Sequence, residues 1–271
     1  MRDRVSTTQG TRGIALTARM IRVSRLIRKL ENFAPLPEEE KRALIDASST
    51  IHRYRAHEDL IQEGAPTDGV KIILEGFACR YKVLPDGRRQ IVAYFVPGDM
   101  CDLRVFLLKR MDHSIGTLCP VEAALLPQES VLELTERYPR LTRALWWSTL
   151  VEEAIAREWI VNVGHRTAFE RMAHLFCEIF VRLQAVGLTQ DNRCDLPLTQ
   201  TELADTLALS AVHVNRTLMD MRRARLVTFQ GRQLIIHDRQ ALQSVAGFDP
   251  NYLHLDGETN RLPAAFKRNT A

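Results

Sequence analysis

The stretch from Leu198 to Arg225 constrains the fold of this chain most, because it carries the start signals of two successive short helices. Thr199 and Glu202 have the spacing of a capping box, in which each side chain accepts the free backbone N–H of the other residue. The apolar residues that follow share one helical face: Leu203, Ala204 and Leu207. The spacing therefore predicts a helix that begins at this box and buries that face.

A second helix is predicted after Ser210, a residue type that caps helix N-termini well. Val214, Leu218 and Met221 recur one turn apart and can pack back on the first helix. This leaves four side chains mostly on the outward side: His213, Asn215, Arg216 and Thr217. Such a helix fits the major groove of DNA, which is about 12 Å wide, and an Arg there can donate two hydrogen bonds to a guanine edge.

The residues after this helix also favour DNA binding. Arginines at 222, 223 and 225 follow its end and can reach phosphates. The sequence VTFQGRQLIIHD then predicts a β-hairpin with Gly231 at its turn, a wing beside the helix. A helical hairpin used only for core packing is the alternative. The cap, turn, outward polar face, basic exit and wing occur together in this order, which favours DNA binding over that alternative.

Together these features resemble the winged helix-turn-helix of the cyclic-AMP receptor/fumarate-nitrate regulator (Crp/Fnr) family of bacterial transcription factors. The order of the upstream chain extends the resemblance over roughly residues 25–245. The family's base-reading positions hold Ala211, Val212 and Arg216 here. Receptor-type members carry Arg and Glu at the first two positions, so the resemblance implies a different preferred operator. Ala208 replaces the family's usual turn glycine, at a small cost. The implied phosphate contacts are Thr199, Ser210, His213, Arg222, Arg223 and Arg232.

From residue 51 to 126, short apolar runs alternate with turn signals, which is typical of strands in an antiparallel roll or barrel. The runs include VKIILEG, FACRYKVL, IVAYFVPGD and VEAALLP, and Pro85-Asp86-Gly87 and Pro97-Gly98-Asp99 are predicted turns. Two helices are predicted before them, from Met20 to Leu30 and over LPEEEKRALIDAS. The resemblance implies that this part is a sensor roll of the cyclic-nucleotide-binding, jelly-roll type.

The resemblance implies that the effector-binding residues of such a roll follow the Pro-Gly-Asp turn. In the cyclic-nucleotide binders of the family, a Gly-Glu-Leu segment holds the ribose, and an Arg-Ser or Arg-Thr pair about ten residues on binds the cyclic phosphate. Here Asp102-Leu103 and Asp112-His113-Ser114 stand at those places. The phosphate-binding Arg is missing and an Asp would repel an anion, so cyclic AMP is not expected to bind. The candidate effector-pocket residues are Asp99, Asp102, Arg104, His113 and Ser114.

No cofactor or metal is predicted. The five cysteines (Cys79, Cys101, Cys119, Cys177 and Cys194) form no C-x-x-C pair, and no cysteine precedes Cys79 where the oxygen-sensing branch holds an iron–sulfur centre. They are interpreted mainly as small core or surface residues in a reducing cytoplasm, with a redox sensor as the alternative. A haem-binding branch stays an alternative as well, since three histidines are available: His52, His57 and His113.

A long helix is predicted from Tyr138 to Gly164, with no Pro or Gly between Pro139 and its end. One apolar stripe runs along it: Leu141, Leu145, Val151, Ile155 and Trp159. The resemblance implies that this helix packs on its own roll and on the same helix of a second subunit, which gives a homodimer. A helix buried inside one domain is the alternative.

Composition sets broad limits on the protein. The chain has 271 residues, 45% of them hydrophobic, and a net charge of +4, which suits two globular domains and is compatible with nucleic acid. The stretch from Arg2 to Lys29 contains eight basic residues and one acidic residue, Asp3. A solvated tail is favoured there over an arm that contacts DNA. No run approaches the roughly 18 apolar residues that span a bilayer, so no membrane contact is predicted.

The sequence thus predicts an α+β fold: an N-terminal antiparallel β-roll, a long dimerisation helix and a C-terminal winged helix-turn-helix. The predicted parts are a flexible basic extension, the roll with its flanking helices, the dimerisation helix, the DNA-binding domain and a loose tail, at residues 1–20, 21–137, 138–165, 166–247 and 248–271. The predicted function is a homodimeric transcription regulator that binds two-fold operators on double-stranded DNA under an unidentified signal, with RNA polymerase as a further partner if it activates. An enzyme or metabolite-binding protein with a helical appendage is the alternative, although no pattern supplies catalytic residues.

Overall fold

The computed structural model describes residues 23–48, 50–66, 68–103 and 110–255. Two helices precede the first sheet: α1 covers residues 23–30 and α2 spans Glu38–Ala47. Three acidic residues occupy the first turn of α2, where the helix dipole favours them, as the sequence predicts. The apolar side of α1 packs into the core of the sheets, while Arg25 and Lys29 bind the roll rather than extending as part of a solvated tail. The predicted basic extension, residues 1–20, lies outside the described residues.

Eight strands form two four-stranded antiparallel sheets with orders β1-β8-β3-β6 and β2-β7-β4-β5. Their bounds are β1 Thr50–Tyr54, β2 Asp59–Ile61, β3 Gly69–Glu75, β4 Ala78–Val83, β5 Arg89–Phe95, β6 Met100–Cys101, β7 Ser114–Thr117 and β8 Val121–Pro127. Apolar residues from both sheets, including Ile72, Phe95 and Ile115, share one buried core. The predicted roll is confirmed, and the apolar runs lie in β3, β4, β5 and β8. Between β5 and β6, Gly98 adopts φ +96 against the backbone of Arg25, a conformation that favours glycine.

Two consecutive helices then lead away from the roll, α3 at Gln128–Arg137 and α4 at Pro139–His165. α4 matches the predicted long helix and begins with Pro139 in its first turn, where a missing N–H costs nothing. Its predicted dimer stripe does not face a partner, however. All five residues are at most 9% exposed and pack within this chain: Leu141, Leu145, Val151, Ile155 and Trp159. The first two join the core of the roll and the other three join the core of the C-terminal domain.

The opposite side of α4 is apolar and exposed. Trp146 is 72% exposed, Leu150 57%, Ile160 73% and Val161 43%. The face that the structure leaves exposed is therefore not the one that the sequence analysis proposed for the dimer. The reason is physical: the helix has apolar residues on both sides, and periodicity alone does not tell which side its own chain covers.

The C-terminal domain contains α5 at Ala168–Ala185, α6 at Gln200–Leu207, α7 at Ala211–Arg223 and α8 at Arg239–Ala246. A three-stranded sheet lies among them, with β9 at Arg193–Asp195, β10 at Val227–Gln230, β11 at Gln233–Ile236, and the order β10-β11-β9. α5 begins with a second capping box, between Thr167 and Glu170, which the sequence analysis missed although its Thr-x-x-Glu spacing is the same signal.

Residues 248–255 differ from the loose tail that the sequence predicts. They include a short 3₁₀ turn, Pro250–Leu253, that packs on α4 and α5. Phe248 and Leu253 are buried, and the Tyr252 hydroxyl donates a hydrogen bond of 3.0 Å to a carboxylate oxygen of Glu178 on α5. The prediction was wrong because it relied on periodicity, which is weak in this segment. A few isolated side chains, among them Phe248 and Tyr252, hold the segment in place instead. Residues 256–271 lie outside the described part of the chain.

Candidate nucleic-acid interface and sensor site

The start of α6 is fixed by the predicted capping box. The backbone N–H of Thr199 donates to a Glu202 carboxylate oxygen at 2.6 Å, and the Glu202 N–H donates to the Thr199 hydroxyl at 3.2 Å. These bonds satisfy two of the backbone donors that a helix start leaves free. The side chain of Glu202 is buried, so the capping box is partly enclosed in the domain rather than lying wholly on its surface.

The turn between α6 and α7 also follows the sequence prediction. Ala208 ends α6 in the left-handed conformation with φ +53, the conformation that glycine adopts most easily. Ser210 then caps α7 by accepting a hydrogen bond from the N–H of His213 at 3.2 Å. These local bonds fix the turn, and buried side chains of both helices, such as Leu203 and Val214, share the core of the domain.

α7 presents one side to the domain core and the other to solvent. Val214, Thr217 and Met221 are buried. Thr217 is therefore not on the outward side, where the sequence analysis placed it; its hydroxyl donates to the His213 carbonyl oxygen at 2.9 Å. The predicted base-reading residues all lie on the exposed first half of the helix: Ala211, Val212, which is 81% exposed, and Arg216.

The predicted phosphate contacts fall into two groups. Ser210 and Thr199 are exposed at the starts of α7 and α6, with His213 half-buried one turn into α7. Arg222 and Arg223 are exposed at the far end of α7, and Arg223 pairs with Asp220 at 3.2 Å across two largely exposed side chains. A surface pair of this kind contributes little free energy and leaves the guanidinium available to a phosphate.

The predicted wing is the hairpin of β10 and β11. Gln230 pairs with Gln233, and the two turn residues Gly231 and Arg232 both have φ +62, which is the pattern of a type I′ turn. Arg232 lines a cleft of about 460 Å³ between the wing and the roll, together with Phe77 and Cys119. Its phosphate contact stays a prediction, because in this conformation it lies beside the roll.

The predicted effector residue Asp99 is instead a buried structural ion pair. Its carboxylate oxygens lie 2.8 Å from Lys29 of α1 and 2.8 Å from Arg182 of α5, and it accepts the N–H of Val96. Burial alone would raise the pKa of the Asp99 carboxyl, but the two cations and these hydrogen bonds outweigh burial and lower it. Asp99 therefore joins the roll to two helices.

Asp102 and His113 do lie together, as the sequence analysis expects of an effector pocket. His113 Nε2 lies 2.7 Å from Asp102 Oδ2, and His113 Nδ1 lies 2.7 Å from Asp112. The cation that faces them is Arg80 of β4, which is 2.5 Å from Asp102 Oδ1 and 3.5 Å from Glu152 of α4. Ser114 accepts the N–H of Glu63 at 3.0 Å. Arg104 lies outside the described residues.

Sequence reasoning missed the cations that close this site: Lys29, Arg80 and Arg182. Each is a single charged residue on a different element, with no spacing to one another that a pattern could reveal. Glu152 was missed for the same reason; burial raises the pKa of its carboxyl, and Arg80 opposes that shift. Only the packing of the roll against α4 and α5 brings the four together.

A cyclic nucleotide does not fit this arrangement. The described side chains leave a cavity of about 40 Å³ beside Arg80, Asp99 and Glu152, whereas ligand pockets typically measure about 300–1,000 Å³. Among the described residues, the two guanidinium groups beside this cavity, Arg80 and Arg182, are each already bound by two carboxylates. The described residues around this cavity therefore leave neither the space nor an unpaired cation for that ligand.

The cysteines and histidines show no cofactor chemistry in the described residues. All five cysteines are buried, and burial raises the pKa of Cys79, Cys177 and Cys194 to about 12, so their thiols stay protonated and unreactive. His52 and His57 are exposed, while His113 is held in the ion pairs above. Within residues 23–48, 50–66, 68–103 and 110–255, no three His, Cys, Asp or Glu side chains are grouped to hold a metal. No helix in these ranges is long and apolar enough to cross a membrane.

Comparisons with known proteins agree with the two-part architecture. A cyclic nucleotide-binding domain matches residues 51–138 and a Crp-like helix-turn-helix domain matches residues 170–245. The nitrogen fixation regulation protein FixK of Bradyrhizobium diazoefficiens is 30% identical over 170 residues, which covers 63% of this chain and 70% of FixK. The transcriptional activator protein FnrL of Cereibacter sphaeroides is 28% identical over 216 residues, which covers 78% of this chain and 86% of FnrL.

The fold agrees with a solved relative as well. The structure of FixK2 from Bradyrhizobium japonicum matches 74% of this chain and 98% of its own, with a TM-score of 0.67 and 27% identity. The architecture is that of a DNA-binding transcription regulator and not of an enzyme, so the enzymatic alternative is not supported. The chain belongs to the Crp/Fnr family of transcription regulators.

Proposed function

We propose that the protein binds a two-fold DNA sequence as a homodimer, with α7 of each subunit in the major groove, and thereby controls transcription. The observation that carries the proposal is the exposed first half of α7. Ala211, Val212, Asn215 and Arg216 are exposed there, while the capped start of α6, the turn at Ala208 and the cap at Ser210 fix the start of the helix. A rigid scaffold with an open helix is what base readout needs.

The chemistry of this face indicates how bases would be read. Arg216 can donate two hydrogen bonds to O6 and N7 of a guanine. Ala211 and Val212 carry only methyl groups, which suit contact with the thymine methyl rather than hydrogen bonding. One polar and two apolar positions support an operator different from that of relatives with Arg and Glu at those places.

Phosphate contacts would lie on both sides of the base-reading residues. The hydroxyls of Thr199 and Ser210 lie at helix starts, where backbone N–H groups and the helix dipole favour an anion. His213 lies beside them, and Arg222 and Arg223 lie at the other end of α7. Arg232 would contribute from the wing once the wing reaches the backbone. Such contacts carry affinity and its salt dependence but little sequence preference.

The exposed stripe of α4 supports the homodimer. Trp146 and Leu150 lie one turn apart, and Ile160 and Val161 continue the same side of the helix. Glu153 and Arg157 fill the gap, 4.0 Å from each other. The positions 146, 150, 153, 157 and 160 alternate in steps of four and three, which is the spacing of a two-helix coiled coil. A second copy of the same helix fits this stripe and places two copies of α7 on one DNA duplex.

The signal that controls the protein is not a cyclic nucleotide, for the reasons of space and charge given above. FixK is named a nitrogen fixation regulation protein and FnrL a transcriptional activator, which supports activation and so RNA polymerase as a partner. The protein would then act in the cytoplasm, where its DNA lies.

One experiment tests the proposal. The purified protein is used to select duplexes from a randomised DNA library, and bound duplexes are sequenced. We expect an inverted repeat with half-sites about 10 bp apart, bound by a dimer in light scattering. Selection of no common sequence, or binding by a monomer to a single unpaired site, would contradict it.

A further inference from the structure

The ion pairs that close the sensor site join the roll to α4. We call Arg80, Asp102, His113 and Glu152 the Arg80 cluster. Arg80 lies on β4, Asp102 in the loop after β6, His113 just before β7 and Glu152 in the middle of α4. Arg80 contacts both carboxylates, at 2.5 Å and 3.5 Å, so one guanidinium connects a sheet, a loop and the long helix.

The Arg80 cluster is buried. The side chain of Arg80 is 13% exposed, Asp102 3%, His113 10% and Glu152 20%. The guanidinium also lies 5.0 Å from the centre of the Phe95 ring, an attractive cation–π contact. A buried cation without partners would cost several kcal/mol, and the carboxylates around Arg80 remove that cost. Loss of Arg80 would leave the carboxylates facing one another in a dry site.

The backbone is shaped to bring these groups together. The pairing of β4 with β5 shifts register between Arg80 and Tyr81, where Val92 of β5 is the extra residue, so an irregularity of the bulge type lies opposite Arg80. Bulges turn side chains away from the regular alternation of a strand. Asp102 has φ +51, in the left-handed region that Asp adopts less easily than glycine. Both features lie beside the 2.5 Å ion pair between Arg80 and Asp102.

The short segment from Asp99 to Asp102, which includes β6, also reaches the DNA-binding domain. Asp99, three residues before Asp102, binds Arg182 of α5 at 2.8 Å, and Arg182 donates to the Tyr94 carbonyl oxygen at 2.7 Å. This segment therefore holds α4 through Asp102 and Arg80, and α5 through Asp99. Since α5 leads into the helix-turn-helix, the position of the segment affects where α7 lies.

We propose that Arg80 acts as a built-in substitute for a diffusible effector: it fills the sensor site and holds the roll against α4 through Asp102 and Glu152, so that DNA binding requires no small molecule. The inference rests on the proposed function and adds its regulation. In an effector-dependent regulator, a ligand supplies the contacts between sensor and helix; here a side chain of the same chain supplies them.

The test uses full-length purified protein and a duplex selected from a randomised library without any added small molecule. We expect the wild-type protein to bind that duplex, and Arg80→Ala to bind it about 10- to 100-fold more weakly while its circular dichroism stays that of a folded protein. Arg88→Ala is the matched control, because Arg88 lies in the β4–β5 turn, is 76% exposed and pairs only with Asp86 among the described ion pairs. It should bind like wild type.

Chemical rescue separates a ligand-like role from a purely structural one. Methylguanidinium, at concentrations far below those that unfold proteins, should restore DNA binding to Arg80→Ala and leave wild type and Arg88→Ala unchanged, while sodium chloride at equal ionic strength should restore nothing. If Arg80→Ala fails to fold, Glu152→Gln decides, since it keeps the Arg80–Asp102 pair and weakens only the link to α4; we expect about 5-fold or greater loss of affinity.

Four results would overturn the inference. Wild-type affinity in both folded Arg80→Ala and Glu152→Gln would show that the link does not affect DNA binding. A loss that methylguanidinium does not restore would show that Arg80 supports the fold without acting like a ligand. Binding of wild type only after addition of a small-molecule fraction of cell extract would overturn effector independence while leaving the proposed function intact; selection of no sequence under either condition would overturn both.

Discussion

The DNA-facing end of α7 and the sensor site use charged residues in opposite ways. On α7, Arg216 is exposed and available to an external partner. In the sensor site, Lys29, Arg80 and Arg182 are already bound to carboxylates of the same chain. The difference teaches that a charged cluster at a family's ligand position is not by itself a binding site. What decides is whether its charges are already paired.

The same contrast separates the two sides of α4. The inner side carries Ile155, 9% exposed, and the outer side carries Ile160, 73% exposed, on one continuous helix. Substitutions on open surfaces should change binding and spare stability, and substitutions in closed regions should do the reverse. Four predictions test this contrast, from the largest expected effect to the smallest.

The largest effect is expected from one substitution made on both sides of α4. Ile160→Glu should give a folded monomer whose operator affinity falls by about 100-fold or more, because the two half-sites are no longer bound together. Ile155→Glu should remain able to dimerise but lose more than about 3 kcal/mol of unfolding free energy, because it buries an unpaired carboxylate. Light scattering, urea unfolding and gel shifts measure the two effects. A dimeric Ile160→Glu would return the interface to the inner side.

The second prediction concerns acid stability in a closed region. His174 is 1% exposed, stacked on Tyr252 and 3.2 Å from Glu158. Burial, with the nearby charge of Arg166, lowers its pKa from 6.5 to about 4, and Glu158 opposes that shift. Between pH 6.5 and about 4, His174 is therefore protonated in the unfolded chain but neutral in the folded chain.

As the pH falls from 6.5 to about 4, this histidine should cost up to about 3 kcal/mol of unfolding free energy, and the loss should stop growing below that range. Above 6.5 it contributes no pH dependence. Urea unfolding of wild type and His174→Leu at several pH values measures it. The stability difference between the two proteins should shrink or reverse toward pH 4 in favour of the variant; parallel curves would show that His174 does not carry the acid sensitivity.

The third prediction tests the open face. Arg216→Ala should lose about 1–3 kcal/mol of binding free energy on the selected duplex, flatten the base preference at one position of each half-site and leave unfolding unchanged. Competition gel shifts with single-base variants of the duplex measure this. Arg222→Ala is the comparison, because a phosphate contact should weaken binding to all duplexes alike and lower the salt slope. If Arg216→Ala behaves like Arg222→Ala, Arg216 binds phosphate rather than a base.

The fourth prediction is that cyclic AMP has no effect on the protein. Titration of the protein with cyclic AMP in a calorimeter should give no heat of binding at micromolar concentrations, and the selected duplex should bind equally with and without it. The physical reason is the paired state of Arg80 and the cavity of about 40 Å³ beside it. Micromolar affinity for cyclic AMP would show that the site opens, and would remove the contrast between the two regions.

Local signals explain why so much of the DNA-binding domain could be predicted. The capping box, the cap at Ser210 and the turn at Gly231 each depend on residues within four positions of one another. Even there, Thr217 was placed on the wrong side, because a helix face shows only its period and not where its core lies. The same ambiguity led to the inner stripe of α4 being taken for the dimer face.

The sequence by itself determined the order of elements, the capped helix-turn-helix and most of the residues that α7 exposes, because these follow from bonds and periods a few residues long. Tertiary structure alone decided the Arg80 cluster, the Asp99 ion pairs, the outer face of α4 and the packing of Tyr252 on Glu178. These contacts join residues that are tens of positions apart on separate elements, such as Arg80 and Glu152. The sequence does not show which opposite charge a residue will contact, because folding alone brings the two within a few ångströms. Once both groups are buried, leaving either one unpaired would be strongly destabilising.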